Sequence, residues 1–474
     1  MAAAIPSLPD RARPDGIGPH GIRPAPARHD GPGIGPSHRR RLSTQRLIAG
    51  MGAVFILALL LTLYTVGPIP LAPASYDQLA NADKLSTFNR LSLSGLFLMS
   101  MPFLLMRLGV VLELVRRSWP ILVATAWFLV SAAWSLSPSY TLLRWVQLLM
   151  FLAVAYTLAA ALPGPRSLLR VVGLVSAGVV AFNVFVVLFM PEVSVTPLGE
   201  KGIYSQKNVA GAMALLFGCL LVGALWSARS LFGWVFYAGA LTADLWLLYV
   251  TRSKTALGIA LLLLLLLPPI FYVVRKGRYY MTVTTCLAVA VIGAALLNMM
   301  VLNITLDTIN QLMFGDLTFT GRSFIWDAVL REVQDRPLTG FGWGAFWGIG
   351  LPINPFTHAD PNEFFMDATV INTAHSGYMD ILLQTGWIGL GLTSFAILWY
   401  IALAMRLVHR NAVAGPALVA AMVIATVMLS LALNNALESQ LFRAGDWIGF
   451  IHLLLALQLD RMALDADRVP LGRV

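Results

Sequence analysis

The residues of this chain best suited to chemistry fall in one polar stretch, about Val301 to His375, of an otherwise apolar sequence. It contains Thr320-Gly321-Arg322-Ser-Phe-Ile-Trp326, then Pro337-Leu-Thr-Gly340-Phe-Gly342, and closes on Ala374-His375-Ser-Gly-Tyr378. Arginine presents a planar fork that pairs with phosphate oxygens two at a time. Histidine exchanges a proton near neutral pH. Glycines 340, 342 and 344, beyond Pro337, let the chain turn back tightly. Together they point to a site for a phosphate-bearing substrate at a bilayer surface.

More cations stand at the mouths of apolar runs: Lys207, Arg252, Lys254 and Arg443. Acids outnumber arginines over residues 302–374, so an anion site must be built from a few converging cations. His358, Asp360 and Glu363 have the residue types of a metal site but lie in an irregular Asn-Pro-Phe-Thr-His-Ala-Asp-Pro loop. Asp465-Ala-Asp467 imitates the metal motif of nucleotide-sugar transferases from within the C-terminal tail. Neither is expected to bind a metal, and no cofactor is expected.

The elements that must position these residues are membrane helices. Hydrophobic residues make up 58% of the 474 positions and charged residues 12%, which excludes an ordinary soluble protein. Crossing the hydrocarbon layer takes roughly 20 apolar residues. Such runs predict about twelve spans, near 47–66, 93–114, 119–136, 140–162, 168–190, 208–226, 231–250, 255–274, 279–301, 376–405, 412–433 and 442–459. The expected fold is an all-α polytopic integral membrane protein with one large periplasmic loop carrying short helices.

Five regions follow. Residues 1–46, rich in Pro, Gly and Arg, form a basic cytoplasmic tail with too little apolar surface to order itself. A retained first helix is favoured over a cleaved signal, because the basic region before it is too long. Helices 1–9 fill 47–301, the loop 302–374, helices 10–12 fill 375–459, and 460–474 is a cytoplasmic tail. Most of the 33 Lys and Arg then fall on the cytoplasmic side, as the positive-inside rule requires. The net charge of +10 therefore reflects topology rather than nucleic-acid binding. Cys219 and Cys286 sit in different apolar runs, so no disulfide framework is expected.

Residues 322–334 place Ile325, Trp326, Val329 and Val333 on one helical stripe, suited to lying in the bilayer interface over the lipid's entry. Asp244 and Asp380 are carboxylates within spans, unfavourable unless partnered. Either joins the site or pairs with a neighbouring polar group.

In order, Ser205-Gln-Lys-Asn208, Thr251-Arg-Ser-Lys-Thr255, Thr320-Gly-Arg-Ser-Phe-Ile-Trp326, Gly340-Phe-Gly342, Ala374-His375-Ser-Gly-Tyr378, Leu382-Leu-Gln-Thr-Gly386-Trp-Ile-Gly389 and Asn434-Asn-Ala-Leu-Glu438-Ser439 resemble the O-antigen ligase and polymerase superfamily of bacterial membrane glycosyltransferases. The resemblance covers roughly residues 200–440. Ser376 stands where that family commonly has Asn, Gln384 where Glu is frequent, and Lys254 where Arg is common.

The resemblance implies an inner-membrane enzyme, both termini cytoplasmic and the active site periplasmic. It would move a glycan from undecaprenyl pyrophosphate to a hydroxyl on a glycan or lipid A core, without a metal. Arg322 is then expected to hold the pyrophosphate and stabilise its developing charge, with Arg252, Lys254 and Lys207. His375 is expected to engage the acceptor hydroxyl, with Gly321, Trp326, Gly340, Gly342 and Glu438 in support. Implied partners are bilayer lipids, the lipid-linked oligosaccharide or polysaccharide and other polysaccharide assembly proteins. Polymerisation of an exopolysaccharide or O-antigen repeat is favoured over ligation to lipid A core. The rival from another class is a polysaccharide or lipid transporter or flippase. Cations at outer helix ends and the lack of a half-to-half repeat weigh against it.

Overall fold

The computed structural model describes residues 44, 47–48, 50–56, 87–162, 164–196, 199–204, 206–277, 322–347, 373–410, 413–440, 442 and 447–468. Most of expected span 1, all of span 9 and much of the 302–374 loop lie outside these residues, as does the 1–43 tail.

Within them the regular elements are helices and one two-residue hairpin, β1 (Val195–Thr196) with β2 (Gly199–Glu200). The longer helices are α1 (Thr87–Met106), α2 (Leu108–Arg117), α3 (Trp119–Val130, continued by a 3-10 turn to Trp134), α4 (Pro138–Ala161), α5 (Pro165–Phe189), α6 (Lys207–Ser227), α7 (Leu231–Val250), α8 (Lys254–Lys276), α9 (Arg322–Val333), α10 (Gly377–His409), α11 (Pro416–Asn434) and α12 (Trp447–Asp467). Seven are long and apolar enough to cross a membrane: α4, α5, α6, α7, α8, α10 and α11. The protein is an all-α, multi-pass membrane protein.

Local chemistry sets the helix starts. Pro138, Pro165 and Pro416 open helices where a missing N–H does no harm. Ser230, Ser253 and Ser376 cap α7, α8 and α10 by accepting from the N–H groups of Gly233, Ala256 and Met379.

The expected span 93–114 is not one rod. The chain bends by 101° at Arg107, between α1 and α2. The reason lies in α2, where Glu113, Arg116 and Arg117 interrupt the apolar residues and only Val111 and Leu114 are buried. That short amphipathic helix suits an interface, and only α1 and α2 taken together reach span length, as a broken span or a re-entrant turn.

Bundle polarity follows from helix ends that touch. At one end, Arg275 of α8 donates to the carbonyls of Val408 and Arg410 (3.0 and 3.3 Å), and a His409 ring nitrogen lies 2.8 Å from the Val274 carbonyl. The C-termini of α8 and α10 therefore meet, which sends their N-termini to the other end. There Gly211 of α6 packs against the Ser253 cap of α8. The N-termini of α6, α8 and α10 thus share one end of the bundle.

Candidate active site

Two groups of residues occupy that end. The first is cationic. Lys207 opens α6, Lys254 opens α8 and Arg252 lies in the turn before it. Lys207 feels the charges of both Lys254 and Arg252. Helix N-termini carry unpaired N–H groups and a positive dipole, so two of them beside three cations make a cradle for an anion. Arg252 takes a left-handed backbone (φ 51°), an uncommon conformation for a residue with a Cβ. Gly199 permits it: a side chain there would collide with the Thr251 carbonyl. The loop that carries Gly199 is tied back by the Ile203 N–H, which donates to Asn183 Oδ1 at 3.1 Å. Asn183 is a polar residue in an apolar run, a signal the motif reading passed over.

The second group surrounds His375, which also has a left-handed backbone (φ 50°). Its Nδ1 lies 4.0 Å from Glu438 Oε2, with the imidazole about a third exposed and Glu438 nearly buried. Both flanks are anchored. The Ala374 carbonyl accepts from Trp326 Nε1 at 2.9 Å, and its N–H donates to Asp380 Oδ1 at 2.9 Å. The Gly377 N–H donates to the carbonyls of Asn435 (2.9 Å) and Glu438 (3.3 Å), and Gly377 packs so closely on the Asn435 amide that no side chain fits. Asn and Ser are both strong N-caps, so Ser376 keeps the cap on α10 despite the family's usual Asn. Asp380 pairs with polar neighbours, since it also accepts from Trp347 Nε1 at 2.7 Å. Asp244 is buried in α7 with neither oxygen hydrogen-bonded among the described residues.

The glycine motifs find a joint explanation. Gly386 breaks α10 (φ 68°, ψ −173°) and frees backbone groups on both sides. The 337–342 segment satisfies them: Trp387 N–H donates to the Pro337 carbonyl (2.8 Å), Phe341 N–H to Leu383 (3.1 Å) and Gly342 N–H to Gln384 (2.8 Å). Gly340 and Gly342, both at positive φ, approach the backbone of Gln384–Thr385 and Ser135 too closely for a Cβ. The Gln384 side chain accepts from the Gly344 N–H at 2.6 Å, and Trp343 stacks on Phe128 at 4.7 Å.

Helix α9 presents the expected stripe, with a different partner. Ile325, Val329 and Val333 are buried against Phe341, Phe346, Trp347, Leu382 and Leu383. Burying each such side chain contributes roughly 1.5–3 kcal/mol, so the stripe holds α9 to the protein rather than to the bilayer. Arg322 opens α9 one turn before Trp326, which places its backbone near the His375 segment. Its side chain lies outside the described residues, as do Gly321, Arg443, His358, Asp360 and Glu363. Asp465 and Asp467 are in ion pairs with Arg461 and with Arg117 and Arg410.

Residues 238–394 match the family described as O-Antigen ligase. The matched stretch holds Arg252, Lys254, Arg322, Trp326, Gly340, Gly342 and His375, and leaves Lys207 and Glu438 outside it. The match spans about a third of the chain and agrees with the resemblance carried by the motifs of residues 200–440. It is also similar to the exopolysaccharide production protein ExoQ of Rhizobium meliloti, 29% identical over 87 residues. That similarity spans 18% of this chain and 19% of the relative.

Proposed function

We propose that this chain is a member of the O-antigen ligase and polymerase superfamily and transfers a glycan from a lipid-linked pyrophosphate donor to a hydroxyl acceptor on the periplasmic side of the inner membrane. The observation that carries the reading is the gathering of Lys207, Arg252 and Lys254 at the end of the bundle where His375 meets Glu438. The donor is an undecaprenyl pyrophosphate glycan, with its lipid in the bilayer and its phosphates at the helix mouths.

In the reaction the acceptor hydroxyl oxygen attacks the anomeric carbon and the bond from that carbon to the pyrophosphate oxygen breaks. The bond electrons leave with the pyrophosphate. Lys207, Arg252, Lys254 and Arg322 stabilise that charge from fixed positions. The hydroxyl proton passes to His375, and Glu438 stabilises the imidazolium that results.

Similarity to an exopolysaccharide production protein favours polymerisation of a secreted polysaccharide. The family description favours a second reading, ligation to lipid A core. A deletion strain tests both. Loss of secreted polymer supports the polymerase, and loss of the polysaccharide-capped lipopolysaccharide ladder supports the ligase. Unchanged polymer and unchanged ladder refute glycan transfer.

A further inference from the structure

At the other end of the bundle, where α2, α10 and α12 finish, lies a cavity of about 280 Å³ lined by Arg117, Arg406, Arg410, Trp399, Asp460 and Asp467. Its carboxylates are engaged. Asp467 pairs with Arg410 at 2.8 Å and Arg117 at 3.1 Å, while Asp460 is buried and accepts from the Tyr400 hydroxyl at 2.8 Å. Arg406 has no carboxylate partner among the described residues; its guanidinium lies 5.5 Å over the Trp399 ring. Beside the cavity Trp119, Phe395 and Trp399 cluster with ring centroids 5.4–5.9 Å apart. Trp119, Phe395 and Leu398 are 44%, 44% and 63% exposed.

Arginines at helix C-termini complement the helix dipoles, but that role needs neither a cavity nor an exposed aromatic shelf. A basic pocket that opens onto apolar surface has the form of a phospholipid: anionic headgroup above, acyl chains below. Trp and Arg at this depth mark a membrane interface. The site is remote from the candidate active site, since the part of α10 from the break at Gly386 to Arg406 alone extends about 30 Å at 1.5 Å per residue. We infer that this cavity binds the phosphate headgroup of an anionic phospholipid in the leaflet opposite the active site, with its acyl chains along Trp119, Phe395 and Leu398. Basic pockets between membrane helices on the cytoplasmic side take such headgroups.

The test uses the full chain purified in neutral detergent, with thermal unfolding followed as lipid is added. Phosphatidylglycerol should raise the unfolding temperature by several degrees, whereas phosphatidylcholine with the same acyl chains, or millimolar inorganic phosphate, should not. Arg406→Gln removes the cavity arginine that has no carboxylate partner among the described residues and should abolish most of the rise. Asp467→Asn removes a competing anion and should enlarge it. Equal shifts from the two lipids overturn the proposal, as does an undiminished shift in Arg406→Gln. A rise reproduced by inorganic phosphate alone assigns the cavity to a free anion and overturns the lipid assignment.

Discussion

Glu438→Gln isolates the carboxylate half of the His375 pair while preserving its shape. Opposite unit charges 4 Å apart attract by about 1 kcal/mol in a water-like medium and about 4 kcal/mol near a protein surface. The observed separation is 4.0 Å, with the imidazole 34% exposed and Glu438 10% exposed. That mixed environment sets the interaction at about 2 kcal/mol, present only once His375 has taken the acceptor proton. The substitution should therefore slow transfer roughly thirtyfold. His375→Gln should slow it further while donor binding stays intact. With His375 already replaced, Glu438→Gln should add little, because the two residues act as one unit. The assay is single-turnover transfer from a fluorescent lipid-linked glycan by protein in nanodiscs, with donor binding measured separately. Wild-type rates in Glu438→Gln at normal folded yield, or independent, additive losses in the two variants, refute the pairing.

Arg322→Ala should reduce turnover by one to two orders of magnitude, as expected for a hydrogen bond to a charged group of about 1.5–3 kcal/mol. Arg322→Lys should recover only part, since it keeps the charge and loses the fork; full recovery in turnover assays would exclude paired contacts. Gly386→Ala forces a side chain into a glycine-only backbone region, at roughly 1–3 kcal/mol, and into the Leu338 backbone. Its apparent unfolding temperature should fall by several degrees, while Gly391→Ala, which meets nothing within 4 Å, should change little. The Arg410 hydrogen bond holds the Asp467 carboxyl below its ordinary range, with Arg117 adding to it. Its stabilising contribution is thus complete above the unfolded value of about 3.9 and is lost as pH falls below that towards the folded value. The exposed position limits it to under about 1 kcal/mol. Unfolding measured from pH 7 to pH 3 should show a small acid loss that Asp467→Asn removes; an unchanged loss assigns it elsewhere. Finally, a cysteine at Asp316, with Cys219 and Cys286 replaced, should react with an impermeant thiol reagent in spheroplasts. Protection there, with labelling of an N-terminal cysteine, reverses the topology.

The sequence identifies spans well because one property, apolar length, decides them. Seven of the expected twelve correspond to span-length helices among the described residues. The reading does not show the bend at Arg107, beyond which Glu113, Arg116 and Arg117 make α2 amphipathic. The motifs around Gly340 and Gly386 are visible as strings, yet their relation is not. Backbone hydrogen bonds between Pro337–Gly342 and Leu383–Trp387 leave no mark in side-chain periodicity. The stripe on α9 shows that an apolar surface will be covered, whereas its partner, Phe341 to Leu383 rather than lipid, depends on tertiary packing.

Backbone strain ties the site to the scaffold. Among the described residues only Arg252, His375 and Phe442 have positive φ without being glycine. Each left-handed residue gives up roughly 1–2 kcal/mol and persists only where its surroundings enforce it. For His375 the enforcement comes from Trp326 and Asp380 acting on Ala374 and from Asn435 acting on Gly377. For Arg252 it comes from the close approach of Gly199. Phe442, whose carbonyl accepts from Trp343 Nε1 at 3.1 Å, anchors the loop that carries Gly340 and Gly342. The two residues proposed for acceptor and pyrophosphate are thus held by separate sets of contacts. Loosening one set of contacts should displace its residue while the other stays in place. Binding of the lipid donor and transfer to the acceptor are therefore separable by mutation in the second layer, at Gly199 and at Asp380.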